Sequence, residues 1–269
     1  MATQPDFIHD TAHLDQHFLD PHSAERIVEH ATMLVGDTIL DIGAGTGVLT
    51  AAILRATPAH VIAVEPDQRC RPDLDQLSRR HAQLTVMISR IQSIPRPELA
   101  ATTVIIANPP FSALEYLTRL LRELPRLRSA LLCVSRTWAA NASCQLGNPG
   151  YGATSLAVGS RFAATVIGQL DGSMFTPPIR RPAALLKITR RTPSPELDLF
   201  AEAVLSHGGT RLKDLVRSRR MRRVLGADRH HGLLCDPSLR QLQQRRLHDL
   251  SDNAIAMIAT LLVATAPDR

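Results

Sequence analysis

Three glycines at alternate positions, Gly43, Gly45 and Gly47, constrain this chain more than any other feature. The apolar run at residues 38–42 precedes them and predicts a β-strand, while residues 48–54 follow with the pattern of a helix. Glycine has no Cβ atom, so a turn built from glycines can adopt positive φ and can lie close to a ligand. The pattern therefore predicts a strand, a tight turn and a helix, with a ligand against the turn.

An acidic residue at the end of the next strand indicates that this ligand is a nucleotide. The apolar run at residues 61–64 predicts the second strand, and it ends in Glu65. A carboxylate at this position can accept hydrogen bonds from both hydroxyls of a ribose. The glycine spacing differs from the G-x-G-x-x-G pattern of dinucleotide-binding proteins. The two features together therefore favour a nucleotide site of another kind.

A second motif, Asn108-Pro109-Pro110-Phe111, follows the buried-strand run at residues 103–107. Its prolines fix φ and remove two backbone donors, so the loop offers two acceptors, the Asn108 side-chain oxygen and the Pro109 carbonyl. The exocyclic amine of a nucleobase is a poor nucleophile because its lone pair is delocalised into the ring. Two acceptors on its N–H bonds would pull the nitrogen towards tetrahedral geometry, and Phe111 would stack on the base. The motif therefore predicts chemistry on a nucleobase amine.

Composition limits the class of protein. The chain has 269 residues, 44% hydrophobic and 21% charged, which suits one α/β domain with a smaller appendage. No apolar run has the length of a membrane span, and the first residues lack the pattern of a secretory signal. Four scattered cysteines form no C-x-x-C pair. We therefore expect a reduced, cytoplasmic protein without a metal site.

The order of the predicted elements favours a doubly wound, parallel α/β sheet. Residues 1–36 are expected to hold two short helices. Strands are predicted, with helices between the earlier ones, at residues 38–42, 60–64, 84–88, 102–107, 129–134, 162–170 and 183–189. Beyond Pro193 and Pro195 only helical patterns occur, at residues 196–206, 210–224, 237–247 and 251–264. We therefore expect an α/β domain at residues 1–192 and a small helical domain at residues 193–269.

Positive charge is concentrated in the last third of the chain. The net charge is +6, but the segment from Arg180 to the end holds 17 basic and 9 acidic residues, so the remainder is slightly acidic. This clustering favours contacts to nucleic-acid phosphates, with a solvated, arginine-rich helix as the alternative. The predicted phosphate contacts are Arg180, Arg181, Arg190, Arg191, Arg211, Lys213, Arg217, Arg219, Arg220, Arg222 and Arg223.

These motifs resemble those of S-adenosylmethionine-dependent methyltransferases. The glycine turn resembles the D-x-G-x-G-x-G motif of that group, and Asn-Pro-Pro-Phe resembles the N/D-P-P-Y/F motif of enzymes that methylate adenine or cytosine amines. The order of motifs along almost the whole chain resembles one family, the ribosomal RNA adenine N6-dimethyltransferases. Further segments with counterparts in that family are Gln16-His17-Phe18-Leu19-Asp20, Pro149-Gly150-Tyr151-Gly152 and Phe175-Thr176-Pro177-Pro178.

The resemblance implies a Rossmann-like methyltransferase domain at residues 1–192 with S-adenosylmethionine as cofactor. It also implies that the protein is a monomer, that its partner is ribosomal RNA and that it binds no membrane. The helical domain at residues 193–269 would bind RNA. The implied catalytic residues are Asn108, Pro109 and Phe111. The implied cofactor-binding residues are Gln16, His17, Leu19, Asp41, Gly43, Gly45, Gly47, Glu65, Pro66, Arg90, Ile91 and Asn108.

One segment departs from the family pattern. The family usually has Gly-Asp-Ala after the third strand, with the Asp on the adenine amine of the cofactor. This chain has Ser89-Arg90-Ile91 there, and Gln92 is the candidate to replace that Asp.

Three classes of function stay open at this point. A DNA amino-methyltransferase shares Asn-Pro-Pro-Phe but usually carries a separate target-recognition region. A non-catalytic nucleic-acid-binding relative need not keep that motif intact. Among rRNA enzymes, those acting on 16S rRNA usually read N-L-P-Y, whereas N-P-P-F is closer to the 23S enzymes of macrolide resistance. The expected function is therefore adenine N6-methylation of 23S rRNA, with 16S rRNA as the alternative.

Overall fold

The computed structural model describes residues 16–207 and 209–264, which form two compact units. The first unit comprises the described residues up to Ala139 together with Ala164–Arg190. The second comprises Ala140–Ala163 and the described residues from Arg191 onward. Part of the expected helical segment at residues 1–36 lies outside the described residues. Nowhere in the described ranges is a helix both long and apolar enough to cross a membrane.

A seven-stranded sheet, in the order β4-β3-β2-β5-β6-β9-β7, forms the core of the first unit, and β1 and β8 pair separately. The strands of the described residues are β1 (Phe18–Leu19), β2 (Thr38–Ile42), β3 (His60–Glu65), β4 (Leu84–Ile88), β5 (Val104–Ala107), β6 (Ser129–Ser135), β7 (Phe162–Leu170), β8 (Phe175–Thr176) and β9 (Ala183–Arg190). Strands β4, β3, β2, β5 and β6 are parallel, and β9 is antiparallel to β6. The expected α/β fold is confirmed.

The central strands are apolar along their length because the sheet is buried. Ile39, Val61, Ile105 and Ile106 are fully buried, as parallel strands covered on both faces require. Because the carboxyl ends of parallel strands meet at one edge, the residues that follow β2, β3, β5 and β6 come together there. The helices of this part of the chain are α1 (Pro21–Glu29), α2 (Val48–Arg55), α3 (Arg71–Arg80), α4 (Arg96–Leu99), α5 (Leu114–Glu123) and α6 (Arg136–Ser143).

The second unit is helical. Its core contains Phe200, Leu212, Met221 and Ile258, each at most 2% exposed. Its helices are α7 (Ala153–Gly159), α8 (Pro195–Ser206), α9 (Leu212–Val216), α10 (Arg219–Leu225), α11 (Ala227–Cys235), α12 (Pro237–Leu242) and α13 (Asp252–Ala264).

The division of the chain differs from the expected single boundary after residue 192, because residues 140–163 group with the helical unit. Tyr151 and Leu156 are buried in the same hydrophobic cluster as α8. The Arg161 guanidinium also donates to the Asp198 carboxylate at 2.6 and 2.8 Å. These contacts join segments that are distant in sequence, so the pattern of prolines alone could not predict them.

The basic segment at residues 210–224 is two short helices rather than the expected single one. Helix α9 ends before Ser218, whose hydroxyl accepts a hydrogen bond from the Met221 N–H at 3.1 Å and caps α10. The chain before α9 instead pairs with residues 243–247: the Leu212 N–H donates to the Arg245 carbonyl at 2.9 Å. For the same reason the helix expected at residues 237–247 ends at Leu242.

Candidate active site

A cavity of about 790 Å³, measured with its open mouth, lies at the carboxyl edge of the parallel strands. Residues after β2, at the end of β3, after β5 and on β6 contribute to its wall. The predicted site residues that line it are Gln16, His17, Leu19, Gly43, Gly45, Glu65, Pro66, Asn108, Pro109 and Phe111.

The glycine turn follows β2 and has the positive φ angles that the sequence predicts. The Gly43 N–H donates to the Val64 carbonyl at 2.8 Å, and its φ is 77°. A Cβ atom at Gly43 would lie 3.2 Å from Pro110 Cδ, and one at Gly45, where φ is 55°, would lie 2.8 Å from two ring carbons of Phe18. Both glycines therefore allow a close approach as well as an unusual backbone conformation.

Glu65 connects the glycine turn to the end of β3. Its side chain is 2% exposed and accepts hydrogen bonds from the Gly45 N–H at 2.8 Å and the Asp67 N–H at 2.9 Å. The Gln16 amide donates to the same carboxylate at 3.3 Å. Burial raises the pKa of Glu65, and the backbone hydrogen bonds partly oppose that rise. The carboxylate is thus held in one orientation on the cavity wall.

Two residues with acceptor oxygens lie on this side of the cavity. A carboxylate has about four lone-pair positions, and three of those on Glu65 are used by the hydrogen bonds described above. The Gln16 Oε1 atom is buried and has no hydrogen-bond partner among the described residues. Glu65 and Gln16 together can therefore accept hydrogen bonds from neighbouring hydroxyls, which is a ribose-like pattern.

Asn108 is oriented by the segment before α1. Its Nδ2 donates to the His17 carbonyl at 2.8 Å, which leaves Oδ1 as the acceptor for an incoming N–H. The His17 Nδ1 lies 2.8 Å from the Pro177 carbonyl, which can only accept, so Nδ1 carries the proton. Phe111 is half-buried and lines the same cavity. The loop therefore presents an acceptor and an aromatic ring to one space.

Asp41 lies behind the cavity rather than on its wall. Its side chain is fully buried, and Oδ2 accepts a hydrogen bond from the Thr50 hydroxyl at 2.6 Å. Oδ1 has no hydrogen-bond partner among the described residues. Burial raises the pKa of Asp41 to about 7, and the charge of nearby Glu65 acts in the same direction. Asp41 therefore lies beneath the glycine turn, behind the residues that form the cavity wall.

Three other predicted cofactor residues also lie off the cavity wall. Gly47 precedes α2 and has φ of 85°, but a Cβ atom there would meet Leu74 at 3.1 Å, so it serves helix packing. Arg90 is exposed, and Ile91 is buried in a short 3-10 helix. This segment departs from the family pattern, and its residues do not reach the cavity in the structure.

One wall of the cavity was not predicted from the sequence. Strands β1 and β8 pair with Phe18 opposite Thr176, and this pairing brings Phe18, Phe175 and Ile179 to the cavity. Cys133 on β6 completes the floor on the other side. The Phe-Thr-Pro-Pro segment was visible in the sequence, but only the long-range pairing with β1 indicates its place.

Two of the predicted phosphate contacts have backbone partners. The Arg190 guanidinium donates to the carbonyls of Leu124, at 3.2 Å, and Leu127, and so holds the loop after α5. The Arg191 guanidinium donates to the Gly159 carbonyl, although the side chain is exposed. Arg180 and Arg181 are exposed.

The basic segment around α10 presents most of its charge to solvent. Arg220 forms two hydrogen bonds with the Glu202 carboxylate, at 3.0 and 2.9 Å, so its charge is balanced within the unit. Lys213 is half-buried. Arg220 is exposed as well, and the other exposed members of the segment are Arg211, Arg217, Arg219, Arg222 and Arg223.

Residues 10–253 match the family model described as ribosomal RNA adenine dimethylase. The chain belongs to this family. It is therefore an S-adenosylmethionine-dependent enzyme that methylates adenine in ribosomal RNA. The family assignment agrees with the first of the three classes that the sequence left open, the RNA adenine methyltransferase.

Curated relatives extend the match. A protein of Neorickettsia sennetsu is 30% identical over 229 residues, which are 82% of this chain and 86% of the relative. A protein of Mycobacterium avium is 32% identical over 192 residues, which are 68% of this chain and 59% of the relative. Both relatives are named ribosomal RNA small subunit methyltransferase A.

Solved structures share the fold. A dimethyladenosine transferase from Plasmodium falciparum superimposes with a TM-score of 0.63 at 19% identity, covering 92% of this chain and 97% of that one. The 23S rRNA methyltransferase ErmE superimposes with a TM-score of 0.59 at 17% identity, covering 91% and 99%. At these identities the likeness establishes the fold alone.

The cavity fits the cofactor of the family. The Gln16 Oε1 atom, which has no hydrogen-bond partner among the described residues, and the Glu65 carboxylate suit the hydroxyls of a ribose. Gly43 and Gly45 have no side chains, so a ligand can approach their backbone closely. Aromatic and aliphatic side chains form the rest of the wall.

Replacing Gly45 with alanine should weaken S-adenosylmethionine binding. The new Cβ atom would lie 2.8 Å from the Phe18 ring, so the turn or the ring, which both line the cavity, must shift. We expect the Kd to rise by about tenfold or more in isothermal titration calorimetry. Gly36→Ala is the matched control, because φ there is also positive, at 94°, but no atom lies within 4 Å of the new Cβ. Equal affinities for the two variants would refute the close-approach argument.

Replacing Asp41 with asparagine should flatten the pH dependence of stability. The folded pKa of about 7 exceeds the ordinary value of 3.8, so between these limits the folded protein holds a proton that the unfolded chain has lost. This contribution to the free energy of unfolding should therefore be present at low pH and disappear as the pH rises towards 7. Asparagine keeps an acceptor for Thr50 and does not titrate. Denaturant unfolding of both proteins across this range measures the difference, and parallel pH profiles would contradict the assignment.

Proposed function

We propose that this enzyme dimethylates an adenine N6 in the RNA of the small ribosomal subunit. The names of the two curated relatives support the small subunit. The expected preference for 23S rRNA depended on Asn-Pro-Pro-Phe alone, and the likeness to ErmE is one of fold. The relatives therefore favour the 16S alternative over the 23S reading.

The orientation of Asn108 is the observation that carries the proposal. Because its Nδ2 is used by the His17 carbonyl, its Oδ1 can accept one N–H of the target amine. Pro109 lines the same cavity, and its backbone carbonyl can accept the other. Both hydrogen bonds hold the amine with its lone pair directed into the cavity, and Phe111 provides the surface on which the base stacks.

S-adenosylmethionine, when bound, supplies the electrophilic methyl group. The amine nitrogen becomes cationic and acidic as the new bond forms, so the site requires no strong general base. Glu65 is unsuited to that role because its carboxylate already accepts three hydrogen bonds. The contribution of the protein is alignment of the amine and stabilisation of the developing positive charge by fixed acceptor dipoles.

Replacing Asn108 with alanine should reduce the methylation rate by about 10²-fold or more, as loss of one preorganised polar contact does in other enzymes. The assay uses purified enzyme, labelled S-adenosylmethionine and, separately, 16S rRNA and 23S rRNA as naked RNA and as subunits. Methylated adenines are mapped by primer extension and nucleoside analysis. Calorimetry should show that the variant keeps cofactor affinity, because the carboxylate and glycine contacts are intact.

The two rRNA substrates distinguish the two candidate functions in this assay. Label confined to 16S rRNA supports the proposal. Label confined to 23S rRNA, with macrolide resistance in an expressing host, would establish the second candidate, which the Asn-Pro-Pro-Phe motif favours. A wild-type rate for Asn108→Ala would mean that the loop has only a structural part.

We further propose that the helical unit binds rRNA through the exposed arginines of α10 and its flanks. Met221 and Leu225 form the buried face of α10, so Arg219, Arg222 and Arg223 remain on its outer side. Arg217 caps the end of α9 and is also exposed. Guanidinium groups presented in this way suit phosphate oxygens.

Changing Arg217, Arg219 and Arg223 together to glutamine should weaken rRNA binding. Each lost phosphate contact should reduce the slope of log K against log salt by about 0.7–0.9. Filter binding of 16S rRNA over a range of salt concentrations measures this slope. Arg220→Gln is the control, because Glu202 already balances that charge. If the triple variant and the control have equal slopes, the segment is an ordinary solvated surface.

A further inference from the structure

A separate group of positive charges lies beside the cavity in the first unit. Arg136, Arg180 and Arg181 are all exposed. The Arg136 N–H donates to the Pro182 carbonyl at 2.9 Å, so the start of α6 adjoins the segment that carries the other two arginines. Arg180 and Arg181 are among the phosphate contacts predicted from the sequence, whereas Arg136 is not.

These arginines are neighbours of residues that line the cavity. Ile179 and Ala183, which flank the segment of Arg180 and Arg181, both contribute to its wall. Cys133, on the strand that leads to Arg136, does so as well. Ser135 is paired with Ala183 across β6 and β9, which fixes the two arginine-bearing segments side by side. We call these three arginines the rim arginines.

The Arg136 guanidinium is held in a way that leaves its outer nitrogens available. Its Nε donates to the Gln169 side-chain oxygen at 2.9 Å, a neutral partner on β7. Within the described part of the chain, none of the rim arginines forms an ion pair. Asp171, on the turn that contacts Ile179, accepts hydrogen bonds from Ser173 at 2.8 and 2.7 Å. Among the described residues, these three positive charges thus lie beside the cavity without an acidic side chain paired to them.

We propose that the rim arginines bind the phosphates on either side of the adenosine that enters the cavity, an inference that rests on the proposed function. A base placed over Phe111 must leave its stack, so its two phosphodiesters have to stay at the cavity mouth. The two Nη groups of Arg136 can donate to a phosphate in the paired geometry that guanidinium favours. The rim arginines therefore hold the target nucleotide itself, unlike the exposed arginines around α10.

Three variants test the charge and the geometry of Arg136 separately. Arg136→Gln should lower kcat/KM for rRNA methylation by about tenfold or more, as loss of a charge-assisted contact does. It should also reduce the salt slope of rRNA binding by about 0.7–0.9. Arg136→Lys should keep that slope, because the charge remains, but lose part of the rate. Arg80→Gln, an exposed arginine on α3, should match the wild type, and all variants should bind S-adenosylmethionine normally.

RNA with one uncharged phosphate analogue tests whether Arg136 contacts a phosphate next to the target adenosine. RNA carrying a single methylphosphonate next to the adenosine that the wild type methylates should bind the wild type and Arg136→Gln equally, because the charge that Arg136 would meet is gone. An undiminished difference between the two enzymes at both flanking positions would overturn the inference, as would wild-type kinetics for Arg136→Gln. A wild-type enzyme that methylates no rRNA would instead refute the proposed function.

Discussion

The hydrogen bond from the Gly45 N–H to the Glu65 carboxylate is the contact on which the cofactor side of the cavity depends. It joins the turn after β2 to the end of β3 in a buried setting, where an ionised carboxylate is stable only with several donors around it. The Asp67 N–H and the Gln16 amide also donate to this carboxylate. The carboxylate therefore contacts the loop after β3 and the segment before β1 as well. One side chain thus holds three parts of the wall in register.

The sheet could be predicted from the sequence because its strands are local apolar runs. The strands at residues 38–42, 84–88 and 162–170 have the predicted bounds, and α8 and α13 end where predicted and begin within one residue of the predicted starts. The break before α10 could not be predicted in this way, because it depends on the cap at Ser218 and on pairing with residues 243–247. Helix α11 was not predicted from the sequence.

The residues of the candidate site likewise fall into those placed by a local motif and those placed by contacts distant in sequence. Residues carried by a strand end or a tight turn, such as Glu65, Gly45 and Asn108, reach the cavity as their motifs predict. Asp41 belongs to the glycine motif, but its side chain contacts Thr50 instead of lining the cavity. Successive side chains of a strand point to opposite faces of the sheet, so a residue of a strand can face away from a site beside it. Phe175 and Ile179 reach the cavity through the pairing of β1 with β8, a contact across more than half of the chain that no local pattern encodes.

Gly43 has a consequence for how the two halves of the site are spaced. With no side chain, its Cα packs against the Asn108 carbonyl and the Pro110 ring, which a Cβ would approach to 3.3 and 3.2 Å. The glycine turn and the Asn108-Pro109-Pro110-Phe111 loop therefore rest directly on each other. The spacing between these two predicted motifs is therefore set by one missing side chain. Any homologue with a larger residue here would need a compensating shift in the proline loop, so these two motifs should vary together.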